Sequence, residues 1–232
     1  MNVDQQEIKK FEDLASRWWD RNSEFKPLHD INPLRANWID NVSPVAGQQL
    51  LDIGCGGGIL SEAMAQRGAQ VTGIDMGEAP LAVAKLHQLE SQLGIDYLKT
   101  TAEEFAEQNA SRFNIVTCLE MLEHVPQPSS VVQACADLLK PGGWAFFSTI
   151  NRNPKSFLLA IIGAEYLLRM LPVGTHEYSK LIRPSELSNW LRSAGLELHM
   201  MTGLVYNPLT KIYRLTADDV DVNYMLCARK PA

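Results

Sequence analysis

Apolar positions along the chain change their spacing twice. Near the start, Phe11, Leu14, Ala15, Trp18 and Trp19 recur at i, i+3, i+4, i+7 and i+8, which makes one apolar face of a helix. Two adjacent tryptophans on so short a helix have something large to cover. Polar turns and Asn32-Pro33 then break the pattern, and a short helix is expected at about 34–40. From residue 49 apolar runs alternate with helical stretches, the mark of βαβ units and a parallel sheet. The runs lie at 49–54, 70–75, 95–99, 113–119 and 144–150. Helices are expected between them at about 59–67, 79–92, 101–109 and 129–139. Pro80 falls where a first-turn proline is tolerated, and Pro141-Gly142-Gly143 reads as a turn before the fifth strand. Runs this apolar suit strands covered on both faces.

The regularity stops at Asn151. Between Ser156 and Pro172 only Glu165 and Arg169 are charged. A helix of that length falls short of a hydrocarbon core of about 30 Å and is too apolar for an ordinary surface helix. It reads as a lid over a pocket, as a segment dipping into a membrane face, or as a buried helix. A helix is expected at about 184–194, opened by Arg183-Pro184-Ser185-Glu186. Two extended segments near 196–205 and 220–229 suggest an antiparallel hairpin on the sheet edge. The expectation is one domain over 1–232, with an N-terminal helical cap at about 5–40 and an apolar insertion at about 152–182.

Composition narrows the field. A chain of 232 residues, 46% of them hydrophobic, suits one large α/β domain. A net charge of −6 carries no electrostatic footprint for nucleic acid. Cys55, Cys118, Cys135 and Cys227 form no CxxC pair, so a zinc site or disulfide framework is not expected, and the compartment is expected to be reducing. Residues 1–20 are rich in charge, so no signal peptide is expected.

The chemistry begins at Leu51-Asp52-Ile53-Gly54-Cys55-Gly56-Gly57-Gly58, between the first strand and the first helix of the regular part. Glycines there allow a tight turn and close approach of a ligand to the backbone. Asp75 ends the next strand about twenty residues on, where a carboxylate can accept both hydroxyls of an adenosine ribose. A dinucleotide site would want G-x-G-x-x-G, but Ile59 holds the last glycine position, which disfavours a nicotinamide oxidoreductase. Thr101-Ala102-Glu103 follows the third strand, where an adenine edge would lie. Leu119 ends the fourth strand, where it either covers an adenine face or packs in the core.

The loop resembles motif I of class I S-adenosylmethionine-dependent methyltransferases, in which the strand acid, here Asp52, orients the loop. That resemblance implies a Rossmann-like α/β fold: a mostly parallel seven-stranded sheet with an antiparallel C-terminal edge strand and helices on both faces. It implies cofactor contacts at Asp52, Gly54, Cys55, Gly56, Asp75, Met76, Ala102, Glu103 and Leu119. Over about residues 7–229 the chain also resembles the ubiquinone biosynthesis O-methyltransferase family. The discriminating pieces are Ala15-Ser16-Arg17-Trp18-Trp19-Asp20, Glu24-Phe25-Lys26-Pro27-Leu28-His29 and Ile31-Asn32-Pro33-Leu34-Arg35. Glu120-Met121-Leu122-Glu123-His124-Val125-Pro126, Gly203-Leu204-Val205-Tyr206-Asn207-Pro208 and Asp221-Val222-Asn223-Tyr224 agree with it.

This resemblance implies methylation of phenolic hydroxyls on polyprenylated catechols at both O-methylation steps of ubiquinone biosynthesis, on 2-polyprenyl-6-hydroxyphenol and 3-demethylubiquinol. It implies that Arg35 reaches the methionine carboxylate of the cofactor, for which a guanidinium is well shaped. It implies magnesium at Glu120, Glu123 and His124. It implies a cytoplasmic enzyme held at a membrane surface, through about 156–171, in a complex with other enzymes of the pathway.

A phenol of pKa about 10 is mostly protonated at neutral pH, so the reaction needs a base, a metal or both. The spacing of Glu120, Glu123 and His124 would put all three on one side of a helical turn. They could hold a divalent ion, or Glu120 and His124 could act directly on the proton. In the plainer reading, His124 packs the turn and both glutamates are solvated. Two other functions fit less well. One is a different small-molecule methyltransferase, acting on carbon or nitrogen, though no Asn/Asp-Pro-Pro-Tyr segment for amino groups is present. The other is a non-enzymatic membrane-associated module that keeps the cofactor fold.

Overall fold

Strand β1 (Gln49–Ile53) is buried from Leu50 onward, as suits a central strand whose Leu50, Leu51 and Ile53 are apolar. The computed structural model describes residues 2–157 and 177–232. Around β1 stand β2 (Gln70–Asp75), β3 (Asp96–Lys99), β4 (Phe113–Leu119) and β5 (Leu139–Ile150), all parallel. β6 (Glu197–Asn207), β7 (Ile212–Thr216) and β8 (Asn223–Arg229) complete one sheet in the order 3-2-1-4-5-8-6-7. The strand order turns back between β1 and β4. In open α/β sheets, ligands bind beyond the carboxyl ends of the strands at such a point.

Helices cover both faces. On one side α5 (Ala102–Asn109), α6 (Pro128–Leu138) and α8 (Pro184–Ser193) pack Phe105, Val131, Cys135, Leu187 and Leu191 against the sheet. On the other, α2 (Lys26–Val42), α3 (Ile59–Gln66) and α4 (Glu78–Ser91) bring Ile39, Met64, Leu81 and Ala84 to Leu50, Val71 and Phe146. The N-terminal α1 (Gln5–Leu14) continues as a 3₁₀ turn, Ala15–Arg17, and carries Phe11 and Trp18 to a third cluster with Phe25 and Ile59. A short helix, α7 (Pro154–Ser156), follows β5. No helix among the described residues is long and apolar enough to cross a membrane.

Three local expectations are corrected. Pro33 does not break the chain: it lies inside α2, which runs unbroken over 17 residues. Burial of Ile31, Arg35, Ala36 and Ile39 along one face of α2 outweighs a proline penalty of about 3 kcal/mol. Pro141-Gly142-Gly143 is not a separate turn but a bulge within β5, where pairing with β4 shifts register and Gly142 takes φ +77°. The C-terminal segments do pair antiparallel, yet β8 is no edge. It lies between β5 and β6, with Tyr224–Ala228 all buried. The edge strand is β7, an eighth strand hairpinned to β6, short and half-exposed and so weakly marked in sequence. The apolar stretch 156–171 lies almost wholly outside the described residues.

Candidate active site

β1 runs into the loop Gly54–Gly58. The amides of Gly54 and Cys55 both donate to the Ile74 carbonyl, at 2.9 and 3.1 Å, which ties the loop to the end of β2. Gly58 donates to the Cys55 carbonyl at 2.9 Å and enters α3 at φ +88°, a conformation that favours glycine. The space that the other glycines leave open is taken by protein. The indole of Trp18 lies against Gly56 and Gly57, and a Cβ at either would fall within its ring. Trp18 stacks on Phe25 at 4.1 Å. Trp19 donates from Nε1 to the Gly57 carbonyl at 2.9 Å and lies flat on His87 at 3.4 Å. The glycine loop is what the paired tryptophans cover.

Asp75 accepts from the Gly56 amide at 2.9 Å through Oδ2 and from the Gly77 amide at 2.7 Å through Oδ1. Burial raises its pKa, and those amides oppose the rise. Each oxygen keeps a lone pair for a hydroxyl. Asp52 has both oxygens engaged, by Ser61 Oγ at 2.6 Å and Thr117 Oγ1 at 2.8 Å. Burial pushes its pKa up to about 6 against those two bonds. It therefore joins β1, α3 and β4 beneath the loop.

Arg35 is buried on α2 and ion-paired to Glu120, whose Oε1 also accepts from Ser148 Oγ at 2.8 Å. Arg35 Nε is buried without a hydrogen-bond partner among the described residues, an uncommon state for a buried donor. Glu120 has φ +51°, and the helical turn covers only Leu122–His124. Glu120 is thus outside that turn, and the expected common side for Glu120, Glu123 and His124 does not form. Buried Glu123 accepts from Thr149 Oγ1 at 2.8 Å; burial, then the Glu120 charge, raises its pKa. Among the described residues no three His, Cys, Asp or Glu side chains stand together as a metal site.

The partner of His124 comes from far away in sequence. Its Nδ1 lies 3.0 Å from Glu7 Oε2 on α1. Burial pulls the imidazole pKa down, but the Glu7 hydrogen bond and the charges of Glu123, Glu7 and Glu120 outweigh it and leave a raised value. That same bond, opposed by burial and helped by Lys10 and Lys180, holds the Glu7 carboxyl well below the usual range.

The acidic groups, Arg35 and His124 open on one cavity of about 570 Å³. Arg35, Asp52, Gly54, Cys55, Gly56, Asp75, Met76, Ala102, Glu103 and Leu119 line it, and so do Glu120, Glu123 and His124. Leu119 also packs against the core. Glu103 spends Oε1 on Asn2 at 2.9 Å and Ser130 at 2.8 Å. Sequence reasoning missed Glu7 and the Tyr206–Tyr213 pair, whose rings stand 4.7 Å apart on the same wall. A lone helical glutamate and two strand tyrosines carry no local signal.

Parallel sheet, glycine loop and spaced acid define a class, the S-adenosylmethionine-dependent methyltransferases. The comparisons agree. A family model described as a methyltransferase domain matches residues 15–200. A structure from Thermotoga maritima, a methyltransferase titled possible histamine N-methyltransferase, superposes with TM-score 0.68 at 17% identity, covering 97% of this chain and 98% of that one. Magnesium protoporphyrin IX methyltransferase from Synechocystis, with bound S-adenosylmethionine, superposes at 0.64 and 19% identity, covering 99% and 100%. A relative from Saccharophagus degradans, named ubiquinone biosynthesis O-methyltransferase, is 66% identical over 99% of this chain and 98% of its own length. One of the same name from Pseudomonas entomophila is 69% identical over 97% of both. The chain belongs to the methyltransferase-domain family and, within it, to the ubiquinone biosynthesis O-methyltransferases.

Proposed function

We propose that this chain methylates phenolic hydroxyls of polyprenylated catechols at both O-methylation steps of ubiquinone biosynthesis, on 2-polyprenyl-6-hydroxyphenol and 3-demethylubiquinol. The observation that carries the reading is the single cavity. One end has the glycine loop, Asp75 and Arg35; the other has His124 among apolar and tyrosyl walls.

S-adenosylmethionine, when bound, supplies a methyl group on a sulfonium. The unpartnered Arg35 Nε suits its carboxylate, and the free lone pairs of Asp75 suit its ribose. Met76, Ala102, Glu103 and Leu119 would flank the adenine. His124 takes the phenolic proton, and the oxygen forms its bond to the methyl carbon as the carbon–sulfur bond breaks, its electron pair leaving with sulfur. Holding the oxygen about 3–3.5 Å from that carbon is the task of the cavity walls. Glu120 supports this through Arg35.

Magnesium at Glu120, Glu123 and His124 is the second reading. The buried, charge-crowded Glu123 favours it, since a cation would relieve that crowding. As placed, the side chains do not fit the ion: Glu120 is committed to Arg35 and Glu123 to Thr149.

A polyprenyl substrate dissolves in a bilayer, so the enzyme works from the cytoplasm at a membrane surface, through about 156–171. Phe157 and Tyr178, at the borders of the described residues, support this: both are exposed, with rings edge-on at 5.4 Å. The one-domain reading, with a cap at about 5–40 and an insertion at about 152–182, is supported by one sheet spanning both sides of the insertion. A complex with other pathway enzymes rests on family resemblance alone.

Calorimetry tests the site. S-adenosylmethionine should bind and NADH should not, and a catechol should then turn over. Binding without turnover leaves a non-enzymatic module.

A further inference from the structure

We infer that Glu7, on the N-terminal helix, is the positioning residue for His124, holding the imidazole with Nε2 toward the cavity. The inference rests on the reading of His124 as the base. Glu7 is 6% exposed, and glutamates are seldom so buried unless paired. Its two oxygens have separate duties. Oε2 faces His124 Nδ1 at 3.0 Å, while Oε1 is held by Lys10 at 2.9 Å and Lys180 at 3.2 Å. The carboxylate is thus fixed by contacts that do not involve His124, as an orienting group requires. Lys180 also binds Asp4 at 3.2 Å, and Asp4 caps α1 by accepting from the Gln6 amide at 3.0 Å. Phe11, one turn along the same helix, stands edge-on to the His124 ring at 5.1 Å and 89°. One helix therefore fixes both the direction of Nδ1 and the plane of the ring.

The chemistry follows from the tautomer. Nδ1–H donated to Glu7 leaves the lone pair of the neutral ring on Nε2. Among the described residues no other group bonds that ring. The opposite tautomer would point a lone pair at a carboxylate and offer the cavity a proton instead of a base. Once Nε2 has taken the phenolic proton, the Glu7 charge stabilises the imidazolium. The base is therefore assembled only when α1 is docked. Trp18, just past that helix, at the same time covers the glycine loop at the other end of the cavity.

The test compares Glu7→Leu, Glu7→Gln and His124→Gln in the full chain with a short-tailed catechol, and reads the His124 tautomer by ¹⁵N NMR of histidine-labelled protein. Glu7→Leu should cut kcat about tenfold to a hundredfold, the range seen for partners that orient a histidine. KM for both substrates should hold. Glu7→Gln keeps an acceptor for Nδ1–H and should recover much of the loss. The Nδ1–H signal should persist in Glu7→Gln and give way to a mixture in Glu7→Leu. Unchanged kcat and tautomer in Glu7→Leu, beside an inactive His124→Gln, would overturn this inference alone. A fully active His124→Gln would overturn the base reading itself. Should Glu7→Leu not fold, Glu7→Asp withdraws the carboxylate by one methylene while keeping its charge. It should lose kcat with KM unchanged, and an unaltered kcat overturns the inference.

Discussion

The two ends of the cavity are built on different principles. The glycine end comes from neighbouring chain: β1, its loop, and the tip of β2 hydrogen-bonded to it, with Asp75 accepting from Gly56 and Gly77. The far end is assembled from remote pieces, with Glu7 meeting His124 across 117 positions. The first offers a ligand groups that backbone geometry places. The second, in the proposed reading, does proton chemistry only after the fold has closed. Binding and turnover should therefore separate when either end is damaged.

His124→Gln should show the largest effect. Loss of a general base costs on the order of 10²–10⁴ in rate. Rapid-quench measurement of kcat should show that loss while calorimetry finds cofactor affinity unchanged. Equal losses in both would mean that the ends are not separable.

Stability against pH sharpens the contrast. Asp52 has a pKa raised from 3.8 to about 6, so it contributes stability below about pH 4 that is lost as pH rises through 6. Glu7 is lowered from 4.5, so its contribution is present above that value and is lost as pH falls. The two slopes oppose each other, that of Asp52 between about pH 4 and 6 and that of Glu7 below about pH 4.5. Asp52→Asn should remove a decline worth about 3 kcal/mol at 1.36 kcal/mol per pKa unit, whereas Glu7→Gln should remove a rise. Denaturant melts from about pH 2 to pH 7 would read both, and parallel curves for the two variants would contradict the assignment.

Asp75→Ala should weaken cofactor binding by roughly 2–3 kcal/mol, as expected for lost buried acceptors, with kcat at saturating cofactor little changed. Unaltered affinity in a folded variant would remove Asp75 from the site. The smallest effect concerns metal. With Glu120 paired to Arg35 and Glu123 to Thr149, excess chelator should leave turnover nearly intact. Abolished turnover restored by magnesium would establish the metal reading.

This contrast also marks what could be read from the chain. The loop and Asp75 were legible because turn, spacing and strand ends are local, and the tryptophans announced a covered surface without naming it. Helical spacing misled at Glu120, since its left-handed backbone takes it out of the turn. Pro33 misled because tertiary burial along α2 outweighs its local cost. Glu7 left no trace: only the docking of α1 onto His124 distinguishes it from any solvated helical glutamate.

Methyl transfer from ¹³C-methyl S-adenosylmethionine to a prenyl-tailed catechol, with the label located by NMR, tests the central claim most directly. The account predicts a labelled methoxy carbon on a phenolic oxygen, formed by the wild type and strongly diminished in His124→Gln. Label on a ring carbon, or no transfer despite tight cofactor binding, would contradict it.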